Sequence, residues 1–513
     1  MIIVQQWVVL VRSLSRKYVV CHEFETGFGN IHKSEKNMSH EKLYKRIKSS
    51  LRAIPFEESA KHSRLKDKRG RKPKTILIKN IPYLFSCDET EKLRCYENHS
   101  IIIQGDTIKE VLPSKKVKHQ KFDNTYDAGM RGGIVVTPGL INAHAHPPMY
   151  LMRSAMMLDE GEGVDETIAS FPQWEQVMSE EDYSYSSIGD ITEQQKGGIT
   201  TTLSHFSSYH PLEIAARATK QNVINAVSVA SSVHPENSPE LIERLVKENK
   251  NDSSHLAICF HYVYKASPKV LKEVKRLSDK YDLLITCHMA ESENVAEQCL
   301  RKHRMREVET LEKYHLLTNR TIVSHSIYIN DAEIRKLIKN KVGVVHLPTS
   351  NVIHKSGTFP LWKFRDFEGS QFLSLGTDGV VSKSRLDLLS EAYQTRVTHL
   401  YNRTVKFGSL FKMMTVNGAR VLNMPDRGRI LPGMKADLAF WKLKDRGFIP
   451  FDQKNPMTLL GNLVTHGGRV VRDLMINGQF IVAGRRHQLV NESKLLAELQ
   501  KRHMALRKRV AGR

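Results

Sequence analysis

Eight apolar, strand-like runs alternate with amphipathic helical segments along the middle of this 513-residue chain. The runs begin at Gly133, Gly198, Val223, Leu256, Leu283, Arg320, Lys341 and Phe372. The segments between them, such as SPKVLKEVKRLSDKYD, open on Ser, Pro or Asp and carry hydrophobic residues at a 3.6-residue spacing. Repeated strand–helix units form parallel sheets, and eight units close a (β/α)8 barrel. The sequence therefore predicts an α/β fold with a (β/α)8 TIM barrel.

Six of these runs end on histidine or aspartate. The residues are His144 and His146, His261, His288, His325, His346 and Asp378. Taken singly, such residues are also typical of solvent-facing histidines or Asp-Gly turns. In a (β/α)8 barrel, however, catalytic groups lie at the C-terminal ends of different strands, so we expect these side chains to meet at one mouth. Neutral imidazoles with one carboxylate suit a catalytic zinc or iron ion.

The spacing within these motifs predicts the role of each residue. His144 and His146 are two residues apart, so they face the same side of a strand, and with His288 and Asp378 they provide four ligands for one ion. Such an ion lowers the pKa of its water, and Asp378 is expected to accept the proton released during attack. Glu291 follows His288 by three residues and suits a proton shuttle, although glutamate is also common in a first helical turn. His325 is expected to orient or stabilise the attacked centre.

The motifs PGLINAHAHPPM, HMAES, SHS, HLPTSN and GTDG together resemble the amidohydrolase superfamily. They are most similar to its branch of aminohydrolases and chlorohydrolases, which includes methylthioadenosine/S-adenosylhomocysteine deaminases, guanine deaminases and s-triazine hydrolases. The resemblance runs from about Thr75 to Gly484 and includes VNGARVLNM and GRILPGMKADLAF. It implies a (β/α)8 barrel with one zinc or iron(II) ion at the four ligands named above, with catalytic roles for Glu291 and His325.

The same resemblance implies the substrate contacts and the assembly. HYVYKASP is similar to the family's strand-four segment, whose histidine contacts substrate, which here is His261. FPQWEQVMSEED resembles the segment that supplies a substrate-contacting glutamate, here Glu175. His346 and Asn351 lie in the strand-seven motif and are expected to shape the pocket. The substrate is expected to be a small N-heterocycle, and the protein a homodimer.

Two positions depart from the family pattern. The second strand ends TTTLSH, where the family usually has an aspartate and this chain has Ser204. The third strand ends VSVASS, where the adenosylhomocysteine deaminases carry an arginine and this chain has Ala230 nearest. The resemblance therefore does not imply that this chain binds a homocysteine tail.

A small β-domain built from both sides of the barrel region is also predicted. TILIKNIPYLF and SIIIQGDTIKEVL alternate like half-exposed strands, and the same pattern returns in ADLAFWKL and VVRDLMINGQFIVAG. We assign residues 75–137 and 426–484 to the two parts of one β-sandwich, and residues 138–425 to the barrel. Residues 1–74 are interpreted as a basic extension that can be disordered, and residues 485–513 as a basic C-terminal helix or tail.

The net charge of +23 is concentrated in the two ends of the chain. Residues 1–75 carry 18 Lys and Arg against 7 Asp and Glu, and residues 485–513 carry 9 against 2. Such segments are commonly solvated, but they also bind nucleic acid through its phosphates. KDKRGRKPK (Lys66–Lys74) is similar to a minor-groove-binding hook. Nucleic-acid binding through the tails is therefore kept as a secondary hypothesis.

The six cysteines form no CxxC pair and no disulfide-scaffold spacing, which indicates a reducing compartment, the cytoplasm. MIIVQQWVVLV is apolar, but it lacks the basic n-region and cleavage site of a signal peptide. No apolar run approaches the roughly 20 residues of a membrane span, so we expect no membrane association.

The function most consistent with these observations is a metal-dependent hydrolase that attacks a ring carbon of a purine- or pyrimidine-type heterocycle and releases its amino group. A dechlorinating or cyclic-amide hydrolase of the same superfamily is an alternative. A binuclear site is another, but it requires a carboxylated lysine at strand four, where this chain has His261 with Lys265 beyond it. A catalytically inactive barrel that binds partners through its basic tails is the remaining alternative.

Overall fold

The structure is a computed structural model that describes residues 38–53, 75–130, 132–153, 163–231, 233–248, 254–382, 385–466 and 471–512. The chain divides into two units, residues 1–43 and residues 44–513. MIIVQQWVVLV and KDKRGRKPK lie outside the described residues, so the expectations for these two segments stay predictions. Of the helices that the structure describes, none has the length and apolar character needed to cross a membrane.

The described strands are β1 (Thr75–Cys87), β2 (Leu93–Gln104), β3 (Thr107–Pro113), β4 (Asn124–Asp127), β5 (Ile134–Pro138), β6 (Leu140–Ala145), β7 (Ile199–Phe206), β8 (Asn222–Ser228), β9 (Ser254–Tyr262), β10 (Ile285–Met289), β11 (Thr321–His325), β12 (Gly343–His346), β13 (Leu373–Leu375), β14 (Leu438–Lys442), β15 (Asp473–Ile476), β16 (Gln479–Ala483) and β17 (Arg486–His487). The described α-helices are α1 (His40–Ser50), α2 (Val164–Glu175), α3 (Glu180–Lys196), α4 (His210–Thr219), α5 (Pro239–Glu248), α6 (Pro268–Tyr281), α7 (Glu293–His303), α8 (Glu307–Lys313), α9 (Asp331–Lys339), α10 (Pro348–Ile353), α11 (Leu361–Asp366), α12 (Leu388–His399), α13 (Phe407–Met413), α14 (Val416–Val421), α15 (Thr458–Thr465) and α16 (Glu492–Ala511).

Strands β6 to β13 pair side by side in chain order, and each pair is parallel. The last barrel strand, β13, meets the first, β6, at the C-terminal ends of the strands. The backbone N–H of Asp378 donates to the carbonyl of His144 at 3.1 Å, and Ala145 forms a parallel bridge with Asp378. These contacts close the sheet at its mouth and confirm the predicted (β/α)8 barrel.

The helices of the barrel follow the pattern that the sequence predicts, as α6 illustrates. Ser267 caps this helix by accepting a hydrogen bond from the backbone N–H of Val270, a contact worth about 1 kcal/mol. Pro268 occupies the first turn, where a missing N–H costs nothing. Leu271 and Val274 share one face with Leu277, and all three are buried against the barrel core. The 3.6-residue spacing therefore sets which face of the helix packs inward.

The predicted small β-domain is present as one nine-stranded sheet built from both sides of the barrel region. Its order is β17-β16-β15-β14-β5-β1-β2-β3, and β4 pairs with β1. Side chains from distant strands of this sheet pack together in one apolar core. Within it, the ring of Tyr126 of β4 stacks on that of Phe480 of β16 with ring centroids 5.4 Å apart. The hydroxyl of Tyr126 also donates to Asp473 of β15. Strands distant in the chain thus join in one domain.

Residues at the two ends of the described chain contact helix α3. Ser50 of α1 lies 3.0 Å from the hydroxyl of Tyr185, although α1 falls within the segment interpreted as a basic extension. In α16, Arg502 and Arg509 donate to opposite oxygens of Asp182 at 2.9 and 2.7 Å. Two cations of the basic C-terminal segment are therefore held in intramolecular ion pairs.

Candidate active site

Four ligand atoms converge at the mouth of the barrel. Nε2 of His144 lies 3.1 Å from Nε2 of His146 and 3.2 Å from Nε2 of His288. Nε2 of His146 lies 3.1 Å from Oδ1 of Asp378. All four ligand atoms lie within 4.8 Å of one another, and all four residues are buried. The structure therefore brings together the four metal ligands predicted from strands β6, β10 and β13.

The other ring nitrogen of each histidine is anchored by a neighbouring strand. Nδ1 of His146 donates to the carbonyl of His205 at 2.6 Å, and Nδ1 of His288 donates to the carbonyl of His261 at 2.9 Å. Nδ1 of His144 lies 2.8 Å from the hydroxyl of Ser324. Since a carbonyl only accepts, His146 and His288 carry their proton on Nδ1. Their Nε2 lone pairs point toward the common centre, as in the metal-ligating histidines of other proteins.

The electrostatics of the cluster suit a cation. Burial, together with the neighbouring imidazoles, lowers the pKa values of His144 and His288 well below 6.5. Both rings are therefore neutral at physiological pH, which is the form of histidine that binds a metal ion. Burial opposes ionisation of Asp378, but the neighbouring imidazoles of His146, His325 and His144 hold its pKa well below the usual range. Three neutral imidazoles and one carboxylate fit a single Zn²⁺ or Fe²⁺ ion. Within the described part of the chain, no second set of three or more such ligands is present.

The backbone turns sharply where these strands end. Ala290, His325, Ser326 and Asp378 adopt φ values between +48° and +68°, which are uncommon for residues with a side chain. At Asp378 the turn is stabilised locally, since the N–H of Gly379 donates to Oδ1 at 2.9 Å. Such conformations concentrate at functional sites, where surrounding contacts offset their strain. Here they aim side chains into the mouth of the barrel.

Glu291 and His325 lie beside the ligand cluster, as predicted. Nε2 of His325 is 3.5 Å from Oε2 of Glu291, and both side chains are at most 5% exposed. Burial raises the pKa of Glu291 above its ordinary value, so this carboxyl holds a proton more readily than a surface glutamate does. Nδ1 of His325 lies 2.9 Å from Oδ1 of Asn351. The pair forms a buried acid–base unit next to the centre.

A cavity of about 460 Å³ opens onto the cluster. Its walls include Glu291, His325 and Asp378 together with the predicted substrate contacts His261 and Glu175. Glu175 ends helix α2, and burial raises the pKa of this carboxyl to about 7, against the lowering effect of His146 and Lys265. The cavity therefore combines the candidate catalytic groups with a carboxyl group at a second wall.

Two predicted substrate contacts lie outside this cavity wall. Asn351 is 2% exposed and is paired with His325. His346 is 1% exposed, and its ring stacks on Phe359 and faces His399, with the two Nε2 atoms 3.4 Å apart. Their contact with substrate stays a prediction, and the placement favours support of the site from behind.

Sequence reasoning did not identify three residues of the site. Ser324 precedes His325 and holds His144, whereas His205 packs against His288 with ring centroids 4.5 Å apart. Tyr262 donates its hydroxyl to Oε2 of Glu291. His205 ends strand β7 just as the chosen histidines end theirs, so its position at the strand exit could have identified it. Ser324 and Tyr262 act through other side chains, and only three-dimensional contacts reveal such roles.

The positions that depart from the family pattern also lie at this mouth. Ser204 is fully buried on β7, and its hydroxyl has no hydrogen-bond partner among the residues that the structure describes. Ala230 lines the cavity just after β8. The methyl group of Ala230 supplies no positive charge at this position of the wall.

Two known proteins match this chain over most of its length. 5-Methylthioadenosine/S-adenosylhomocysteine deaminase of Pyrococcus furiosus is 29% identical over 442 residues, which cover 83% of this chain and 99% of the relative. 5'-Deoxyadenosine deaminase of Methanothermobacter thermautotrophicus is 28% identical over 368 residues, which cover 70% of this chain and 83% of the relative.

Solved structures share the fold. An adenosine deaminase from Xanthomonas campestris with bound zinc matches with a TM-score of 0.78 at 21% identity, covering 85% of this chain and 99% of its own. An atrazine chlorohydrolase from Arthrobacter aurescens complexed with zinc matches with a TM-score of 0.75 at 19% identity, covering 83% and 100%. The model of the amidohydrolase family matches residues 135–481, more than half of the sequence. The chain therefore belongs to the amidohydrolase family.

Proposed function

We propose that this protein is a metal-dependent deaminase that releases ammonia from a purine-type N-heterocycle, with an adenine nucleoside as the favoured class of substrate. One observation carries the proposal: a three-histidine, one-aspartate cluster and a buried Glu291–His325 pair face the same cavity. Relatives named as deaminases of modified adenosines support the choice of substrate class.

The ligand set supports one divalent ion, zinc or alternatively iron(II). His144, His146, His288 and Asp378 would hold it. When bound, such an ion supplies Lewis acidity that makes the attacking water more acidic. The net reaction adds water at the ring carbon that bears the amino group and releases ammonia.

The proton transfers are assigned to two carboxyl groups. Asp378 accepts a proton from the attacking water, because its pKa is held low and it is ionised at neutral pH. Glu291 has a raised pKa and delivers its proton to the ring nitrogen. The proton held by Asp378 then passes to the leaving amino group, and the hydroxyl proton on the attacked carbon returns to Glu291 as the carbonyl forms. His325 lies beside Glu291 and orients the attacked centre. The two carboxyl groups thus have opposite pKa shifts that match opposite tasks.

The substrate is proposed to extend from the cluster toward helix α2. Glu175 lies on the cavity wall and offers an acceptor for a sugar hydroxyl. His261 also lines the cavity, and burial lowers its pKa well below 6.5, so it meets the substrate as a neutral imidazole. Phe171 and Met149 line the same cavity and suit an apolar group on the sugar.

We also propose the compartment and the oligomeric state of the enzyme. The described cysteines Cys87, Cys95, Cys259, Cys287 and Cys299 are free thiols, which supports a reducing compartment such as the cytoplasm. A homodimer is proposed from the family resemblance alone. Nucleic-acid binding through the basic ends is given less weight, because Arg502 and Arg509 already pair with Asp182.

The test is ammonia release by chelator-stripped and zinc-reconstituted protein. The panel contains adenosine, methylthioadenosine, 5'-deoxyadenosine, guanine and cytosine, with chloride release from a chlorotriazine measured in parallel. Zinc-dependent ammonia release from a nucleoside is the expected result. Chloride release alone would favour the dechlorinating alternative, and two zinc ions per chain would favour a binuclear site. If no compound of the panel released ammonia although one zinc ion is bound per chain, the deaminase proposal would be overturned.

A further inference from the structure

Tyr262 follows His261 at the end of strand β9, and its hydroxyl donates a hydrogen bond to Oε2 of Glu291. We propose that Tyr262 is a positioning residue for Glu291, because its hydroxyl fixes one carboxyl oxygen so that the other oxygen carries the proton during catalysis. This inference rests on the proposed function, in which Glu291 moves the proton.

The barrel fixes the place of the tyrosine ring. Tyr262 lies opposite His288 in the pairing of β9 with β10, and it is 2% exposed. Its ring centroid lies 5.1 Å from that of His288 and 4.5 Å from that of His261. A ring enclosed in this way cannot swing out without disturbing two strands, so the position of the hydroxyl is set by the fold.

The direction of the hydrogen bond follows from the chemistry of the partners. A carboxylate only accepts, and a carboxyl group protonated on Oε1 keeps Oε2 as an acceptor, so the phenol of Tyr262 is the donor to Oε2 in both states of Glu291. Hydrogen bonds to an ionised acceptor are roughly twice as strong as those between neutral groups. His325 places Nε2 3.5 Å from the same oxygen of Glu291. Because Oε2 accepts the hydrogen bond from Tyr262, we assign the proton transfer to Oε1.

The hydroxyl has a function that the ring alone does not explain. A phenylalanine at position 262 would fill the same space and keep the contacts with His288 and His261. It would lack the hydroxyl that donates to Glu291, and the buried carboxyl group would lose this hydrogen bond. The carboxyl group could then rotate between orientations, and only some of them would place a proton correctly.

The experiment compares zinc-loaded Tyr262→Phe with wild type and with the matched control Tyr264→Phe, which removes a hydroxyl from a tyrosine that does not line the cavity. Methylthioadenosine and 5'-deoxyadenosine are the probes. For Tyr262→Phe we expect kcat to fall about 10- to 100-fold while KM changes less than about twofold and one zinc ion is retained. In a Glu291→Gln background, the same change should cause no further loss. A wild-type kcat, or a full additional loss in that background, would overturn the proposal.

Crystal structures provide a second measurement that does not depend on turnover. In wild type and Tyr264→Phe, the Glu291 carboxyl group should have one orientation with Oε2 on Tyr262. In Tyr262→Phe it should rotate or become split between orientations, and an unchanged orientation would contradict the inference. Full activity of Glu291→Gln would instead refute the proposed function, so the two failures can be told apart.

Discussion

Ser324 and His144 join two strands of the barrel behind the metal ligands. The hydroxyl of Ser324 on β11 lies 2.8 Å from Nδ1 of His144 on β6, and both residues are fully buried. The carbonyls of His205 and His261 anchor the two other ligand histidines. Of the three anchors, only Ser324 is a side chain, so it is the one that mutation can remove without changing the backbone.

Ser324→Ala should weaken zinc binding about 10- to 100-fold, because His144 would lose the partner that fixes its ring orientation. Competition with a chromophoric chelator measures the affinity. Ser374→Ala is the matched control, since Ser374 is a fully buried serine on β13 that donates to the carbonyl of Met413. Equal zinc affinities for the two variants would contradict the assigned role of Ser324.

Glu291→Gln should keep one zinc ion per chain and lose about 100- to 10,000-fold in kcat, since glutamine cannot accept and return a proton. His288→Ala should instead lose the metal itself. Glu293→Gln is a control two residues along the chain, in the first turn of α7. Metal content by elemental analysis and turnover of methylthioadenosine separate the three outcomes. Normal turnover by Glu291→Gln would remove the residue from its assigned role.

Gly376 marks the point where the barrel closes. A Cβ atom there would lie 2.7 Å from the carbonyl oxygen of His144 and 2.7 Å from Cδ2 of Leu347. Gly376→Ala should therefore push β13 away from β6, lower the melting temperature and weaken zinc binding, with a cost of about 1 to 3 kcal/mol. Gly408→Ala is the control, because its nearest neighbour is the end of the Leu93 side chain at 3.3 Å. Identical melting temperatures and zinc affinities for the two variants would contradict this account of closure.

The sequence was sufficient to predict the barrel, and it indicated which four side chains the structure brings together as candidate metal ligands. Repeated strand–helix units determine the fold, and histidines at equivalent strand ends share one mouth whatever their separation in the chain. His144 and Asp378 are 234 positions apart, yet the closing contact between β6 and β13 brings them together.

Residues that act through a second side chain could not be predicted in this way. Tyr262 looks like any aromatic residue of a buried strand until the pairing of β9 with β10 places it near Glu291. Conversely, His346 ends a strand as the metal ligands do, but its ring turns toward Phe359 and His399. The sequence indicates which residues reach the end of a strand, whereas the packing around each residue decides which way its side chain points.

His487 of β17 is a buried histidine held in its neutral form. Its Nδ1 accepts hydrogen bonds from the backbone N–H groups of Leu489 and Val490 at 3.1 and 2.9 Å. The proton of the ring therefore resides on Nε2, which donates to Oε1 of Gln195 at 2.8 Å. Burial lowers the pKa of His487 to about 4. Protonation would break both backbone contacts, which join the small β-domain to the start of helix α16.

Stability should therefore fall as the pH falls. The unfolded chain binds a proton at His487 near pH 6.5, whereas the folded chain binds it only near pH 4. The contribution of neutral His487 to the free energy of unfolding is therefore complete above pH 6.5 and is lost progressively from pH 6.5 to 4. The loss amounts to about 3 kcal/mol, from 1.36 kcal/mol per pKa unit. Urea midpoints of wild type and His487→Gln between pH 7.5 and 4.5 measure it, with His99→Gln as the control, since His99 is a half-buried histidine of β2. The His487→Gln midpoint should depend less on pH than the wild-type midpoint, and equal pH dependence in all three proteins would show that His487 is not the titrating group.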